Sequence, residues 1–355
     1  MKILFLNQNK SKQSGSYLRK LLSTLLTLTV LIWSALISYA CKENKNLVKP
    51  DKNAKAPGHE LFEQLVEGIN LNFEFSPDDV QETYNIASGY LKAIKSAGFS
   101  CVRVFIGYLP NDGPQLFAPV VQSAIDNDLA INLCMIISGK GTDLNKYVKK
   151  WEAYADYYKN YPDNIVFELL NEPRLAGIPD NNIVLQWYNA VMPAIRKTNP
   201  TRTILIGGPQ WNEPQWTDKY INSTYLTYKL CDGTGFEQDK NIMAAVHIYE
   251  PGKFTMPKGK DVFLSQFSTW KTDLTDRFDI MTKWSVKTGK HVVVTEWGAM
   301  NVTITDEDFL EFTKFMAEQI GKGKFEVCIS VPMLWQVMPG TGASLTLNGA
   351  GIRMF

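Results

Sequence analysis

Two glutamates in strand-end settings carry the chemistry of this chain. One lies in the run Ile165-Val166-Phe167-Glu168-Leu169-Leu170-Asn171-Glu172-Pro173-Arg174, where Glu172 follows the apolar stretch. The other is Glu296 in His291-Val292-Val293-Val294-Thr295-Glu296-Trp297-Gly298. Each follows a β-type apolar run and precedes a helical stretch. Two carboxylates delivered to one face of an α/β fold are the minimum apparatus for cleaving a glycosidic bond, one as acid and base, the other as nucleophile or base.

The elements that must position them alternate in type. Short β-rich runs fall at 66–71, 101–106, 129–137, 164–170, 203–207, 242–248, 291–295 and 327–334. Helical patterns separate most of them, as at 83–97, 144–158, 184–196, 270–286 and 307–320. The run 129–137 is almost unbroken in apolar character, as expected of a parallel strand covered on both faces. Eight strands alternating with helices predict an α/β chain folded as a (β/α)8 TIM barrel. Only about 20 residues follow the eighth strand. Their sequence, GTGASLTLNGAGIRMF, is a poor helix, so a degenerate eighth helix is expected. An open α/β sheet is the alternative.

In a barrel, side chains at the strand C-termini do the chemistry. Asn70, Arg103, Asn171, Glu172, His247, Tyr249, Glu296 and Trp335 all fall there. Singly each has a plain structural explanation: an arginine neutralising an acid, a satisfied core imidazole, a packed indole. Together they crowd the one face on which a barrel builds its site. Trp211, Trp216, Trp297 and Phe73 are further candidate platforms for sugar rings, beside the ordinary reading of core aromatics.

This set resembles clan A glycoside hydrolases and, more closely, glycoside hydrolase family 5, the cellulase and mannanase family. The resemblance spans about residues 60 to 337. It rests on Gly68-Ile69-Asn70-Leu71, Gly98-Phe99 leading to Val102-Arg103-Val104, FELLNEPR, His247-Ile248-Tyr249 with Phe254-Thr255, TEWG, and Leu334-Trp335. It implies Glu172 as acid/base and Glu296 as nucleophile. Asn171 would hold the sugar 2-hydroxyl, Arg103 and Tyr249 would hydrogen-bond Glu296, and His247 would tune the same network. Trp335 would floor the subsite beside the cut, and Trp211 would face the cleft. The implied enzyme is a retaining endo-β-glycanase acting on β-1,4-linked glucan, with β-mannanase or another hemicellulase as the alternative. One departure stands out. The family usually carries a histidine at the end of strand three, where this chain has Ile131-Asn132-Leu133-Cys134-Met135-Ile136. That loss keeps open a non-catalytic, glycan-binding lipoprotein.

Composition bounds the rest. A net charge of +1 and the lack of a glycine-rich phosphate loop argue against nucleic acid and nucleotide partners. No CxxC or histidine-rich cluster marks a metal site, and His59, His247 and His291 are the only histidines available to one. No metal and no cofactor is expected, and the partner is a β-linked poly- or oligosaccharide bound by a monomer. Cys101, Cys134 and Cys328 lie in apolar runs and read as buried free thiols rather than disulfides.

The first 40 residues read as a signal. Lys2, Lys10, Lys12, Arg19 and Lys20 precede an apolar stretch ending in Ser38-Tyr39-Ala40, a small-x-small cleavage pattern. Cys41 follows directly, which resembles a bacterial lipoprotein site, although Ser38 stands where leucine is usual. A retained membrane anchor is the alternative. Residues 41–57 are Lys-, Asn- and Pro-rich and read as a tether, which leaves 58–355 as the catalytic domain. The expectation is export, either secreted or anchored to a membrane through lipid at Cys41.

Overall fold

The computed structural model describes residues 68–71, 80–96, 98–107, 113–137, 143–173, 181–222, 227–229, 236–256, 262–299, 304–322, 345–348 and 351–354. Seven strands form one sheet: β1 (Gly68–Leu71), β2 (Cys101–Ile106), β3 (Ala130–Met135), β4 (Ile165–Glu168), β5 (Ile204–Ile206), β6 (Ile242–Ile248) and β7 (Val292–Trp297). They pair in sequential order, every pair parallel. Long helices α1 (Val80–Ser96), α2 (Pro114–Asp126), α3 (Leu144–Tyr158) and α4 (Asn181–Arg196) follow β1 to β4. The short α5 (Pro214–Tyr220) follows β5, α6 (Trp270–Thr288) follows β6, and α7 (Asp306–Lys322) follows β7.

The sheet curls on itself. The Asn70 side chain on β1 reaches β7, its Nδ2 donating to the Thr295 carbonyl at 3.3 Å. This is the (β/α)8 class. The expected eighth strand, with Cys328 and Trp335, lies outside the described residues, as do the signal stretch, Cys41, the tether and Phe73. Where an eighth helix would fall, 345–348 and 351–354 instead pair as an antiparallel hairpin. A second hairpin joins 227–229 to 236–238. No helix among the described residues is long and apolar enough to cross a membrane.

Two apolar layers result from the period of two along each strand. Cys101, Ala130, Val166, Leu205, Met243, Ala245 and Val293 form a small cluster inside the barrel. The alternate residues, such as Val102, Ile131, Phe167 and Val294, join the larger layer beneath the helices. Small and medium side chains suit the narrow interior, whereas the aromatic mass lies outside it. Helix α3 shows why: Tyr147, Trp151, Tyr154 and Tyr158 recur at helical spacing, and all are buried. The Asp143 side chain caps the helix by accepting from Asn145 N at 2.7 Å.

The face away from the strand C-termini is tied by ions. Arg196, at the end of α4, donates through Nε to Asp239 Oδ2 at 2.7 Å, just ahead of β6. It also reaches the Asn199 and Arg202 carbonyls. Asp239 is buried, so removing Arg196 takes away the guanidinium that balances its charge. Arg196→Met is expected to lower the unfolding free energy by about 3 kcal/mol. Urea denaturation checks this, and adding Asp239→Leu should recover much of the loss.

Candidate active site

Above the apolar interior, the next inward positions turn polar. Two residues on from Cys101 comes Arg103, from Ala130 comes Asn132, from Val166 comes Glu168, and from Ala245 comes His247. All four are buried. Arg103, with no exposed surface, is the hub. Its Nε donates to Glu168 Oε2 at 2.7 Å and its Nη2 to Glu168 Oε1 at 2.9 Å, a two-pronged pair. Its Nη1 donates to Glu296 Oε1 at 2.7 Å and to Asn70 Oδ1 at 3.3 Å. Its Nη2 also meets Asn171 Oδ1 at 2.9 Å and Cys134 Sγ at 3.0 Å. Five elements thus converge on one guanidinium.

Glu296 reaches this hub through an irregularity in β7. Val246 pairs with Val294, but His247 pairs with Glu296, which leaves Thr295 as an extra residue. Strict alternation from Val293 would send Thr295 inward. The bulge re-aims the strand so that Glu296 turns in beside His247. Tyr249 donates its hydroxyl to Glu296 Oε2 at 2.9 Å.

Glu172 is set by a loop braced from two sides. Tyr147 Oη and Trp151 Nε1 on α3 both donate to the Leu169 carbonyl, at 2.6 and 3.1 Å. Asn171 N donates to the Met135 carbonyl at the end of β3, at 2.8 Å. Glu172 itself takes a left-handed φ of 43°, a conformation that costs a non-glycine residue on the order of 1 kcal/mol. Its Oε1 lies 2.9 Å from His247 Nδ1, which is also 3.6 Å from Glu296 Oε2. Ligand atoms of Glu172, His247 and Glu296 all lie within 4.8 Å of one another. The trio has the donor chemistry for a cation, and its members already contact one another directly through the His247 ring.

Charge couples the group. Burial pushes the Glu296 carboxyl up, yet the charges of His247 and Arg103 overcome this and hold it below the ordinary glutamate range. Burial works against a charged His247, while the Glu296 carboxylate and the Glu172 hydrogen bond outweigh it and lift the imidazole above its usual value. Burial, then the Glu296 charge, pushes the Tyr249 phenol far up, so it remains a donor.

The structure brings together Asn70, Arg103, Asn171, Glu172, His247, Tyr249 and Glu296. Trp335 lies outside the described residues. Trp211 sits half-buried after β5, in a turn where Gln210, Trp211 and Asn212 all have positive φ. Gly207-Gly208 makes that turn possible, because a Cβ on Gly208 would overlap the backbone of Thr217. The Asn212 carbonyl in turn accepts from His247 N at 3.0 Å, tying this turn to the site. Trp216 is partly exposed and packs on Tyr220, with ring centroids 6.0 Å apart. Trp297 is not a platform: it is 4% exposed and packs on Phe312 inside the core. Cys134 lies in the β3 stretch where the resemblance leads one to expect a histidine, and its buried thiol is pushed well up, chiefly by burial. Glu168 and Asn132 join the site without having stood out in the sequence; Asn132 Nδ2 donates to Glu168 Oε2 at 2.6 Å. The available signal was a charge and an amide inside otherwise apolar strands.

A parallel barrel with two carboxylates and an arginine at its strand C-termini defines a glycosidase-type site. The chain belongs to the family described as cellulase, glycosyl hydrolase family 5, whose model matches residues 66–322. Among curated relatives, endoglucanase H of Acetivibrio thermocellus is 26% identical over 263 residues, covering 68% of this chain and 27% of that protein. Endoglucanase A of Clostridium longisporum is 23% identical over 328 residues, covering 79% of this chain and 60% of that protein. The chain therefore spans less than two thirds of either relative. The fold matches Cel5A of Thermotoga maritima with a TM-score of 0.63 at 21% identity, over 78% of this chain and 92% of that one. That endoglucanase has also been solved with cellobiose and with mannotriose.

The coupling sets a pH dependence of stability with two opposite arms. A lowered Glu296 contributes stability that is complete above the ordinary glutamate value and is lost as pH falls through its depressed one. A raised His247 contributes stability complete below the ordinary histidine value and lost as pH rises through its elevated one. Urea unfolding of Glu296→Gln is expected to show a shallower loss of stability below about pH 4. The same series on His247→Asn is expected to show a shallower loss above about pH 6.5.

Proposed function

We propose that this protein is a retaining endo-β-glycanase that hydrolyses β-1,4-linked glucan, of cellulose or mixed-linkage type, by double displacement. Glu296 is the nucleophile and Glu172 the acid/base. The observation that carries the reading is the Glu296 carboxylate, gripped by Arg103 and Tyr249 with an oxygen of Glu172 within 4.8 Å. Retaining enzymes hold their two carboxyl groups about 5–5.5 Å apart, so that one can attack the anomeric carbon directly.

In the first step a Glu296 oxygen attacks that carbon while Glu172 gives its proton to the departing glycosidic oxygen, and a glycosyl ester forms. In the second, Glu172 takes a proton from water, which attacks the same carbon and frees Glu296. Tyr249 and Arg103 keep the attacking carboxylate ionised and aimed. His247, in contact with both glutamates, steadies Glu172 as its proton comes and goes. Asn171, with its amide oxygen committed to Arg103, has its Nδ2 left to donate to the sugar 2-hydroxyl. Trp211 and Trp335 supply ring-stacking surface.

The endoglucanase names of the curated relatives support glucan as substrate. The mannotriose bound by the Thermotoga maritima neighbour favours β-mannan or another hemicellulose as the second reading. The basic n-region, the small-x-small motif and Cys41 support export, either secreted or lipid-anchored at Cys41.

Reducing-sugar release from carboxymethylcellulose, mixed-linkage glucan, glucomannan and mannan tests the assignment. Glu296→Ala and Glu172→Ala are each expected to lower kcat about 10³-fold or more on polymer. With a dinitrophenyl cellobioside, whose leaving group requires no proton, Glu172→Ala should keep its first step while Glu296→Ala remains inactive. Proton NMR should show the β-anomer released first. Release of the α-anomer, or full activity in either variant, would overturn the mechanism.

A further inference from the structure

The mechanism above leaves a third carboxylate unused. Glu168 is fully buried on β4, is held by two prongs of Arg103, and takes a further hydrogen bond from Asn132. Its carboxylate touches neither Glu172 nor the cleft-facing hydroxyl of Tyr249 among its hydrogen bonds. An ion pair of this kind is expensive to bury and adds little to stability by itself. Its location, sharing one guanidinium with the nucleophile, suggests a different use.

The charge of the site changes during the reaction proposed above, on which this inference rests. Free enzyme holds one cation, Arg103, between two carboxylates, Glu168 and Glu296. When Glu296 becomes an ester it loses its charge. Were Arg103 paired with Glu296 alone, ester formation would strand a guanidinium with no exposed surface. With Glu168 present, Arg103 keeps a partner throughout. Before attack, the same shared pairing tempers the grip of Arg103 on Glu296, so the nucleophile is not over-stabilised. We propose that Glu168 is a positioning residue, the permanent counter-ion of Arg103, which fixes the guanidinium's plane through two prongs and leaves the Nη1 edge to serve Glu296 in the free and covalent states alike.

The groups that face Glu296 are Arg103 from β2, His247 and Tyr249 from the end of β6, and Glu172 from the loop after β4. Cys134 on β3 and Glu168 on β4 act through Arg103. Removing the Glu168 charge leaves Arg103 and His247 to act on Glu296 less opposed, which favours its ionised form. The acid limb of kcat/KM therefore moves to lower pH. Loosening of Arg103, the outcome of mere structural damage, would move it to higher pH.

Glu168→Gln keeps the shape and removes the charge. With a dinitrophenyl cellobioside, its acid limb is expected to fall by about one pH unit. A 2-deoxy-2-fluoro analogue traps the ester, so inactivation and reactivation report the two steps separately. Inactivation is expected to slow about 10-fold or more, while reactivation, which returns Glu296 to its charged state beside Arg103, is not slowed. Glu168→Asp, which retains the charge, should restore the acid limb even if both steps slow. An upward shift, equal slowing of both steps in the Gln variant, or wild-type behaviour would overturn the proposal. If Glu168→Gln does not fold, Glu168→Asp carries the test. The wild-type acid limb and ratio of the two steps are then expected, and a displaced limb with only inactivation slowed would overturn the idea. Glu296→Ala run alongside separates the two claims. Activity retained there removes the nucleophile itself, whereas an inactive Glu296→Ala beside an unaltered Glu168→Gln removes only the role of Glu168.

Discussion

A buried guanidinium organises this molecule. Arg103 has no surface in contact with solvent, and a charge in that position is tolerable only if its donors are met and its charge balanced. The barrel supplies both. Asn70 comes from β1, Cys134 from β3, Glu168 from β4, Asn171 from the loop beyond, and Glu296 from β7. Two of those partners, Glu296 and Asn171, are the groups proposed to attack the sugar and to hold its 2-hydroxyl. The geometry of the chemistry and the solvation of the arginine are therefore one problem with one solution.

The layered interior follows from that solution. Below Arg103 the barrel is filled with small and medium apolar side chains, which exclude water and raise the strength of every charge interaction above them. The polar layer lies one pleat higher on the same inward-facing register. Outside, the aromatic stripe of α3 does more than fill volume. By donating twice to the Leu169 carbonyl it stiffens the segment from which Asn171 and Glu172 extend. Rigid support of this sort lets Glu172 hold a left-handed backbone that an unbraced loop would abandon.

Much of this could be read in the linear chain. The almost unbroken apolar run around Leu133 announced a strand buried on both faces, and the pattern over 144–158 announced a helix. Asn171-Glu172 and Glu296 stood out because charges directly after such strands demand a reason. Glu168 was equally visible as a residue, but a charge within FELL does not reveal what it faces. Trp297 misled for the converse reason. Its neighbour Glu296 points into the cleft, and adjacent strand residues face opposite sides, so the indole was bound for the core beside Phe312.

By itself the sequence determined the period of each element, the alternation of strand and helix, and the residue types available for acid, nucleophile and cation. Those are local properties, set by side-chain spacing and backbone preference within a few residues. Only the tertiary structure decided that Thr295 is an extra residue in β7, that Glu296 rather than Thr295 turns inward, and that one arginine is shared between Glu168 and Glu296. These depend on register between strands and on contacts such as Arg103 with Glu296, 193 positions apart in the chain. No window of sequence contains both partners, and the pairing exists only once the sheet has curled and taken Arg103 out of water.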